Sequence, residues 1–356
     1  FNPKIQFNMM KKGLVALLLT ATTFIGCQNN GTDIPNDEQS KVDMSDFFLY
    51  TDQYESKGNN SQCHTMNVLN QKLKTNKGLY QKMYEIEYAT RQFIAAKKGG
   101  GGGRPGSGNG GGDTGDSGDN LGVINIPVYV HVVYSNSNEN ISDAQVASQI
   151  KVLNDDFRRA NSDANNTPNE FASVAADSEI TFTLANTFRH PNSRTSWGTN
   201  DAVKGSYPPI TPSTHLNIWV ANIGGGILGY AQFPGGSPST DGIVVSPQYF
   251  GTTGFVAAPF DGGRTTTHEV GHYLNLRHIW GDGRCNRDDF VSDTPSSDRP
   301  NYGCPTSANH CRSNDQFMNY MDYTDDSCMN MFSEGQKSRM RSILVVGGAR
   351  ASLAGN

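Results

Sequence analysis

Three histidines in the sequence have the spacing of metal ligands. His268 and His272 belong to the pattern H-E-x-x-H, which on a helix places both imidazoles on one face, one turn apart. His278 follows after five intervening residues and completes a longer pattern that supplies a third nitrogen ligand. Three neutral imidazoles leave the fourth tetrahedral position of a zinc ion open, as a catalytic site requires. The spacing therefore predicts one catalytic Zn²⁺.

Glu269 supplies the acid–base chemistry that such a site needs. It follows His268 directly, so its carboxylate can take a proton from water and deliver it to a leaving amine. A purely structural zinc site or a chance cluster of histidines is the alternative, but a structural site has no use for this carboxylate. For His278 to reach the same ion, the chain must turn sharply after Leu274, and Asn is the non-glycine residue that best tolerates the positive φ of such a turn. Asn275 stands at that position.

The elements that must position these residues alternate between strands and helices. From Ile124 to Tyr134 the even positions are Ile, Ile, Val, Val, Val and Tyr, which is the period of a strand with one buried face. Ser142 and Gln145 have the capping-box pattern of a helix start. The sequence thus predicts a mixed α/β layer architecture. Its further elements are a helix face at 146–157, strands at 180–184 and 216–220, and a short edge strand at 228–232.

The rest of the chain has the organisation of an exported protein. A basic start, a short apolar stretch and small residues up to Cys27 predict a signal peptide over 1–27, with Cys27 as the lipidated residue of a lipobox. Simple cleavage near Cys27 is the alternative. Residues 28–98 are interpreted as a polar tether followed by helices, residues 99–120 as a glycine-rich linker, and residues 121–356 as the main domain.

Length and composition exclude several classes of protein. The 356 residues are enough for about two domains. A net charge of −5 argues against binding of nucleic acid through its backbone. No apolar run reaches ~18 residues, so a multi-span membrane protein is excluded, and membrane contact is expected only through a lipid on Cys27. We expect a monomer that binds protein or peptide substrates as an extra strand beside 228–232.

Together these motifs resemble the pappalysin family of metzincins. The resemblance is carried by residues 267–282, by Asp293-Thr294-Pro295 and by a turn at Met321; it spans nearly all of 121–345 and reaches the N-terminal region at 63–69. It implies an α+β catalytic domain with a twisted mixed sheet, an antiparallel edge strand, an active-site helix and a Met-turn, preceded by a small helical pro-segment. It also implies a secreted zinc endopeptidase that is made as a latent zymogen.

The resemblance assigns roles to four further residues. Met321 carries the Met-turn beneath the zinc, and Tyr323 stabilises the oxyanion of the tetrahedral intermediate. Cys63 resembles the pro-segment cysteine that fills the fourth position on zinc and silences the enzyme; an unpaired, half-buried cysteine is the alternative. Asp326 is implied at the base of the S1′ pocket, where a carboxylate favours Arg or Lys after the scissile bond. A solvated loop charge and a calcium ligand are the alternatives for Asp326.

Four cysteines form an even set within the exported main domain: Cys285, Cys304, Cys311 and Cys328. Four cysteines allow three pairings, and the sequence alone does not choose among them. The resemblance implies Cys285–Cys311 and Cys304–Cys328. A second zinc site with four thiolates is the alternative, which an oxidising compartment disfavours.

An acidic stretch after the zinc-binding residues offers the oxygen ligands that calcium prefers. Family members bind calcium, and we expect Asp289, Asp293 and Thr294 to hold a structural Ca²⁺. A solvated acidic loop is the alternative. Two other functions stay open from the sequence: a surface binding lipoprotein with a structural zinc, in which Glu269→Ala changes nothing, and a zinc amidase with a cleft too narrow for an extended peptide.

Overall fold

The computed structural model describes residues 42–49, 62–99 and 119–355. Contacts within Val42–Asn356 unite these residues in one compact unit. The predicted signal peptide with Cys27 lies outside the described residues, as does the predicted linker except for Gly99 and its last two residues. None of the described helices has the length and apolar character needed to cross a bilayer.

Helices and strands alternate along the described part of the chain. The helices are α1 (Thr65–Thr75), α2 (Lys77–Gly99), α3 (Asp143–Phe157), α4 (Asn169–Ala172), α5 (Ala202–Ser206), α6 (Arg264–Tyr273) and α7 (Glu334–Ser342). The strands are β1 (Ile124–Tyr134), β2 (Ile180–Pro191), β3 (Leu216–Val220), β4 (Gly229–Ala231), β5 (Ile243–Val245), β6 (Asn309–His310) and β7 (Ser313–Asn314). Short 3₁₀ turns lie at Ala164–Asn166, Pro238–Thr240, Pro247–Tyr249, Asp326–Cys328 and Ala351–Ala354.

Five of the strands form one mixed sheet in the order β2-β1-β3-β5-β4. β1 pairs in parallel with β2 and β3, and β3 pairs in parallel with β5. β4 is antiparallel to β5 and lies at the edge, with Tyr230 opposite Val244. The predicted α/β class with an antiparallel edge strand is therefore confirmed.

The alternating residues of β1 build the core beneath the zinc-binding helix. The even-numbered residues from Ile126 to Val132 are fully buried, as the pattern predicts. They belong to the same apolar cluster as the inner face of α3 and Val270 of α6. Burial of such side chains stabilises a fold by about 1.5–3 kcal/mol each. The core thereby fixes the helix that carries His268 and His272.

Three local predictions differ from the structure. The strand expected at 180–184 is longer, because β2 spans Ile180–Pro191. The edge strand expected at 228–232 is shorter, because β4 spans only Gly229–Ala231. The capping box is half formed: Ser142 Oγ accepts a hydrogen bond from Gln145 N at 3.1 Å, but the Gln145 amide donates to carbonyls of the loop after β5 at 2.8 and 3.0 Å. Because this amide is buried, it must satisfy its donors locally, and in this fold it ties α3 to that loop.

The N-terminal helices pack on the edge-strand side of the sheet. Leu69 and Leu73 of α1 and Leu79 and Met83 of α2 are buried together with Phe233, which follows β4. Both helices therefore pack apolar side chains against the residue that follows the edge strand.

Contacts with the main domain begin again at Asp119, near the end of the predicted linker. Arg341 of α7 donates two hydrogen bonds to the Asp119 carboxylate, at 2.6 and 2.7 Å, and both side chains are fully buried. Arg341 also donates to the Gly122 carbonyl at 2.8 Å. The start of β1 is thus fastened to α7.

Candidate active site

Helix α6 and the turn after it bring the three predicted histidines to one point. The Nε2 atom of His272 lies 3.1 Å from Nε2 of His268 and 3.1 Å from Nε2 of His278. The helix ends at Tyr273, and Asn275 has a φ of 77°, as predicted for the turn. This turn reverses the chain and returns His278 to the face that carries the other two imidazoles.

The second nitrogen of each ring is fixed by an acceptor. His268 Nδ1 donates to the Tyr320 carbonyl at 2.7 Å, and His272 Nδ1 donates to the Leu276 carbonyl at 2.8 Å. His278 Nδ1 lies 2.6 Å from the Asp282 carboxylate, which accepts a hydrogen bond only from a nitrogen that bears a proton. Since Nδ1 carries the hydrogen in each ring, the Nε2 lone pairs face one another.

This arrangement fits a zinc ion. The histidine Nε2 atoms and the Cys63 sulfur all lie within 4.8 Å of one another, and all four residues are buried. Burial lowers the pKa of His268 to about 3 and lowers that of His272 strongly, so both rings are neutral ligands. Neutral nitrogens that present lone pairs to one another at 3.1 Å repel unless a cation lies between them. The donor set, three imidazoles and a thiol, is one that zinc prefers.

Cys63 reaches this point because residues 62–64 lie along the edge strand. Leu228 N donates to the Gln62 carbonyl, and His64 N donates to the Gly229 carbonyl, each at 3.0 Å. Cys63 itself pairs with Gly229 in a parallel bridge. The N-terminal region therefore occupies the strand edge where the sequence predicts an extended substrate.

Glu269 is held by a residue that the sequence did not single out. The Thr65 hydroxyl donates to Glu269 Oε2 at 2.7 Å and accepts a hydrogen bond from Ala231 N at 2.7 Å. Burial raises the pKa of Glu269 to about 7, against the opposing effect of the Thr65 hydrogen bond. The only sequence signal for Thr65 is its place two residues after Cys63.

The predicted Met-turn residues lie against the histidine cluster. A side chain at Gly271 would approach the Met321 sulfur to 2.4 Å, so a glycine is needed there for Met321 to pack under α6. The Tyr323 ring lies 5.0 Å from that of His278, and its hydroxyl donates to the Cys63 carbonyl at 3.2 Å. Burial raises the pKa of Tyr323, which keeps its hydroxyl protonated and able to donate.

Asp326 lines a pocket next to the cluster. The pocket is small, with a volume of about 20 Å³, and is also lined by His268, Glu269 and Tyr323. Asp326 Oδ2 accepts hydrogen bonds from Gly262 N at 2.9 Å and from the backbone N of the residue that begins α6 at 3.1 Å. Burial raises the pKa of Asp326 to about 7, although these donors and a nearby arginine oppose the rise.

The four cysteines of the main domain form two disulfides. Cys285 pairs with Cys311 and Cys304 pairs with Cys328, with Cα–Cα distances of 5.5 and 5.6 Å. The pairing implied by the resemblance is confirmed, and the alternative site of four thiolates is wrong. Cys63 is the one free cysteine of the described residues.

The residues expected to bind calcium make other contacts. Thr294 Oγ1 donates to Asp289 at 2.8 Å, and burial raises the Asp289 pKa strongly. Asp293 accepts hydrogen bonds from Ser333 Oγ at 2.6 Å and Gly335 N at 2.8 Å, at the start of α7. Within the described ranges, the cluster at Cys63 alone brings three or more His, Cys, Asp or Glu ligands together. The calcium site stays a prediction.

Two carboxylates that orient the site, the half-buried Asp282 and the buried Asp156, gave no clear signal in the sequence. Asp282 contacts His278 as described above, and its only signal is the spacing H-x-x-x-D. Asp156 of α3 accepts hydrogen bonds from Thr267 Oγ1 at 2.7 Å and Tyr320 OH at 3.0 Å. It therefore joins α6 to the segment whose carbonyl orients His268. Burial raises the pKa of Asp156 to about 6. A lone aspartate beside an apolar helix face gives no sequence signal for this role.

Comparison with known proteins gives a consistent result. The peptidase M43 family described as pregnancy-associated plasma protein-A matches residues 212–345. An extracellular metalloprotease 1 of Coccidioides posadasii is 36% identical over 233 residues, which cover 62% of this chain and 76% of that protein. An extracellular metalloprotease of Pyricularia oryzae is 32% identical over 235 residues, with 62% and 75% covered.

Two solved structures are similar at the level of the fold. Mature mirolysin of Tannerella forsythia in complex with a cleaved peptide matches with a TM-score of 0.64 and 46% identity, over 65% of this chain and 96% of that one. A promirolysin mutant of the same organism matches with a TM-score of 0.70 and 40% identity, over 82% of this chain and 97% of that one. The zymogen thus matches a larger share of this chain than the mature enzyme does.

Proposed function

From the premise that the chain belongs to the pappalysin family of metzincins and is a zinc metalloendopeptidase, we propose that it is a latent enzyme of the extracellular space. We propose that His268, His272 and His278 hold the catalytic zinc and that Glu269 is the general base. The convergence of three Nε2 atoms beside a buried carboxylate carries this proposal.

The reaction uses each residue for one task. His268, His272 and His278 would hold the zinc, which when bound would supply Lewis acidity towards the scissile carbonyl and a water molecule. Glu269 removes a proton from the attacking water and later delivers it to the leaving amine. The Tyr323 hydroxyl donates a hydrogen bond to the oxyanion of the tetrahedral intermediate.

The edge strand β4 is the proposed seat of the substrate. In the latent chain the backbone groups of Gly229 and Ala231, and that of Leu228 just before the strand, form hydrogen bonds with Gln62, His64 and Thr65. An extended peptide can take over the same donors and acceptors once this segment has left.

Latency is proposed to rest on Cys63. Its sulfur lies within 4.8 Å of the three imidazole nitrogens, so it would compete with the attacking water for the fourth position of a zinc ion held by the histidines. Thr65 adds a second obstacle because its hydroxyl holds the proposed base, Glu269. The zymogen character of one similar structure supports a pro-segment over residues 28–98.

One cut in the glycine-rich stretch would separate both Cys63 and the predicted lipid site at Cys27 from the catalytic domain. Arg104 and the lysines at 97 and 98 are the basic residues available between Lys97 and Asn120. Fractionation of cells that express the wild type or Glu269→Ala tests self-processing. Equal amounts of shortened, freed protein in both would exclude it.

Asp326 is the proposed determinant of specificity. A carboxylate in the wall of a pocket beside Glu269 attracts Arg or Lys at the residue after the scissile bond. Asp326→Asn removes the charge but keeps an acceptor for the two backbone donors. Sequencing of cleaved peptide libraries should show Arg and Lys enriched in that position for the wild type and lost in the variant; an unchanged profile would contradict the role.

The decisive experiment on the activity itself uses a matched pair. The full chain is cut in the glycine-rich stretch and incubated with a denatured protein, with and without a zinc chelator. Glu269→Gln keeps the size and hydrogen-bonding capacity of the side chain but cannot carry the proton, so kcat should fall about 10²- to 10⁴-fold. Wild-type turnover by the variant, or turnover that resists the chelator, would leave only a structural role for the zinc.

A further inference from the structure

The N-terminal residues 42–49 lie on a cationic and aromatic patch of the main domain. Arg277 Nη2 donates to the Phe48 carbonyl at 2.7 Å, and its guanidinium lies 4.9 Å from the centre of the Phe48 ring. The guanidinium of Arg287 lies 4.3 Å from the same ring, and Phe290 meets it edge-on at 5.4 Å. We call Arg277, Arg287, Phe290 and Arg339 the arginine–phenylalanine surface.

A carboxylate completes this contact in the latent chain. Glu87 of α2 accepts hydrogen bonds from both terminal nitrogens of Arg339, at 2.7 and 3.1 Å. Arg339 also lies over Phe290, with 5.8 Å between its guanidinium carbon and the ring centre. Aromatic rings and a carboxylate are therefore the groups that this surface holds.

Among the described residues, the main domain supplies no ion-pair partner within 4.0 Å for the buried Arg277. Arg277 is 6% exposed, and its Nη1 has no hydrogen-bond partner in the described part of the chain. The nearby carboxylates are engaged elsewhere, since Asp282 accepts from His278 and Asp289 accepts from Thr294. When the pro-segment leaves, its Phe rings, the Phe48 carbonyl and Glu87 leave with it. The guanidinium groups of Arg277 and Arg339 then remain over the Phe290 ring, and Arg287 loses the Phe48 ring that it contacts.

The arginine–phenylalanine surface lies close in sequence to the histidine cluster and is covered by the same N-terminal region. Arg277 directly precedes the zinc-binding His278 in the chain. Residues 42–49 lie on this surface, and residues 62–64 of the same N-terminal region lie along the edge strand beside the histidine cluster. One chain thus contacts both places at once in the latent enzyme.

We propose that the arginine–phenylalanine surface is a second substrate-binding site of the mature enzyme, which takes an acidic stretch with aromatic residues at a distance from the scissile bond. The proposal rests on the peptidase activity proposed above. Its chemical basis is charge complementarity to three arginines together with cation–π contacts.

A pair of quenched-fluorescence peptides tests this site. The first contains only the residues that flank the scissile bond. The second carries, in addition, the sequence Asp-Phe-Phe of residues 46–48 through a flexible glycine spacer, at either end. The enzyme is the full chain, cut at a protease site inserted in the glycine-rich stretch and freed of the pro-segment. We expect the extension to lower KM about tenfold in one of the two orientations.

Variants separate the second site from the catalytic one. In Arg287→Ala and Phe290→Ala the ratio of the two KM values should return to about one. Arg284→Ala, an exposed arginine of the same loop, is the matched control and should keep the wild-type ratio. Equal KM values for both peptides in the wild type, or an unchanged ratio in Arg287→Ala and Phe290→Ala, would overturn the proposal. Failure to cut the short peptide at all would instead overturn the peptidase activity.

Discussion

Glu87→Gln tests how firmly the pro-segment is held on the catalytic domain. Glu87 and Arg339 form an ion pair at 2.7 Å in which the side chains are 4% and 1% exposed. The substitution keeps the shape of the side chain and removes its charge. It leaves the Arg339 guanidinium buried without a counter-charge, which is the costly way to break such a pair.

The pKa of Glu87 indicates how much free energy the ion pair with Arg339 contributes to docking of the pro-segment. Burial alone would raise this pKa, but the charge and hydrogen bonds of Arg339, with a hydrogen bond from Arg91, lower it from 4.5 to about 2. Such a difference corresponds to about 3 kcal/mol in favour of the ionised, docked state. Removal of one partner of a buried pair costs a similar amount, roughly 3–5 kcal/mol. The open fraction of the zymogen should therefore rise about 100-fold in Glu87→Gln.

Alkylation of Cys63 measures this opening without relying on catalysis. Cys63 is buried and forms no disulfide, so a reagent reaches its sulfur only when the pro-segment opens. Mass spectrometry of the Cys63 peptide gives the rate. Glu85→Gln on the exposed side of the same helix is the matched control and should react at the wild-type rate. If Glu87→Gln and Glu85→Gln react equally fast, the ion pair does not hold the pro-segment.

Three further outcomes are expected. Asp282→Ala should weaken zinc retention about 10- to 100-fold in a chelator competition, with partial rescue by Asp282→Asn; retention as tight as in the wild type would remove its orienting role. Tyr323→Phe should lower kcat by about 10²-fold with little change in KM. An increase in KM of the same size with an unchanged kcat would instead assign the hydroxyl to substrate binding. Burial lowers the pKa of His131 to about 4, against the opposing effect of a hydrogen bond to Asn217. The neutral ring therefore contributes stability above about pH 6.5 that is lost as pH falls towards 4, about 3 kcal/mol in all. Denaturant titrations at both pH values should show a smaller loss in His131→Gln, and an equal loss would refute the assignment.

Local spacing made the zinc-binding segment predictable. The helical period and a residue that tolerates positive φ are properties of neighbouring residues, so the turn at Asn275 followed from the sequence and is confirmed by its φ of 77°. The strand β1 was predictable for the same reason, because its alternation runs over eleven residues. By contrast, β5 was missed because three apolar residues, Ile243–Val245, carry no measurable period.

Contacts between distant parts of the chain could not be read from the sequence. Thr65 meets Glu269 across 204 positions, and Asp156 meets Thr267 across 111. A single threonine or aspartate has the same local signal whether it faces water or a catalytic group. The half-formed capping box at Gln145 has the same origin, since a distant loop competes for its amide.

The hydrogen bonds from Arg341 to Asp119 and Gly122 hold the start of β1 in place after a cut in the preceding glycine-rich stretch. Cleavage between residues 99 and 118 leaves Asp119 and Gly122 on the catalytic domain. It therefore keeps both hydrogen-bond partners of Arg341 that precede β1. Ragged ends of different length should therefore yield one and the same working enzyme, and the glycine-rich stretch is free to vary in length and composition without cost to the catalytic domain.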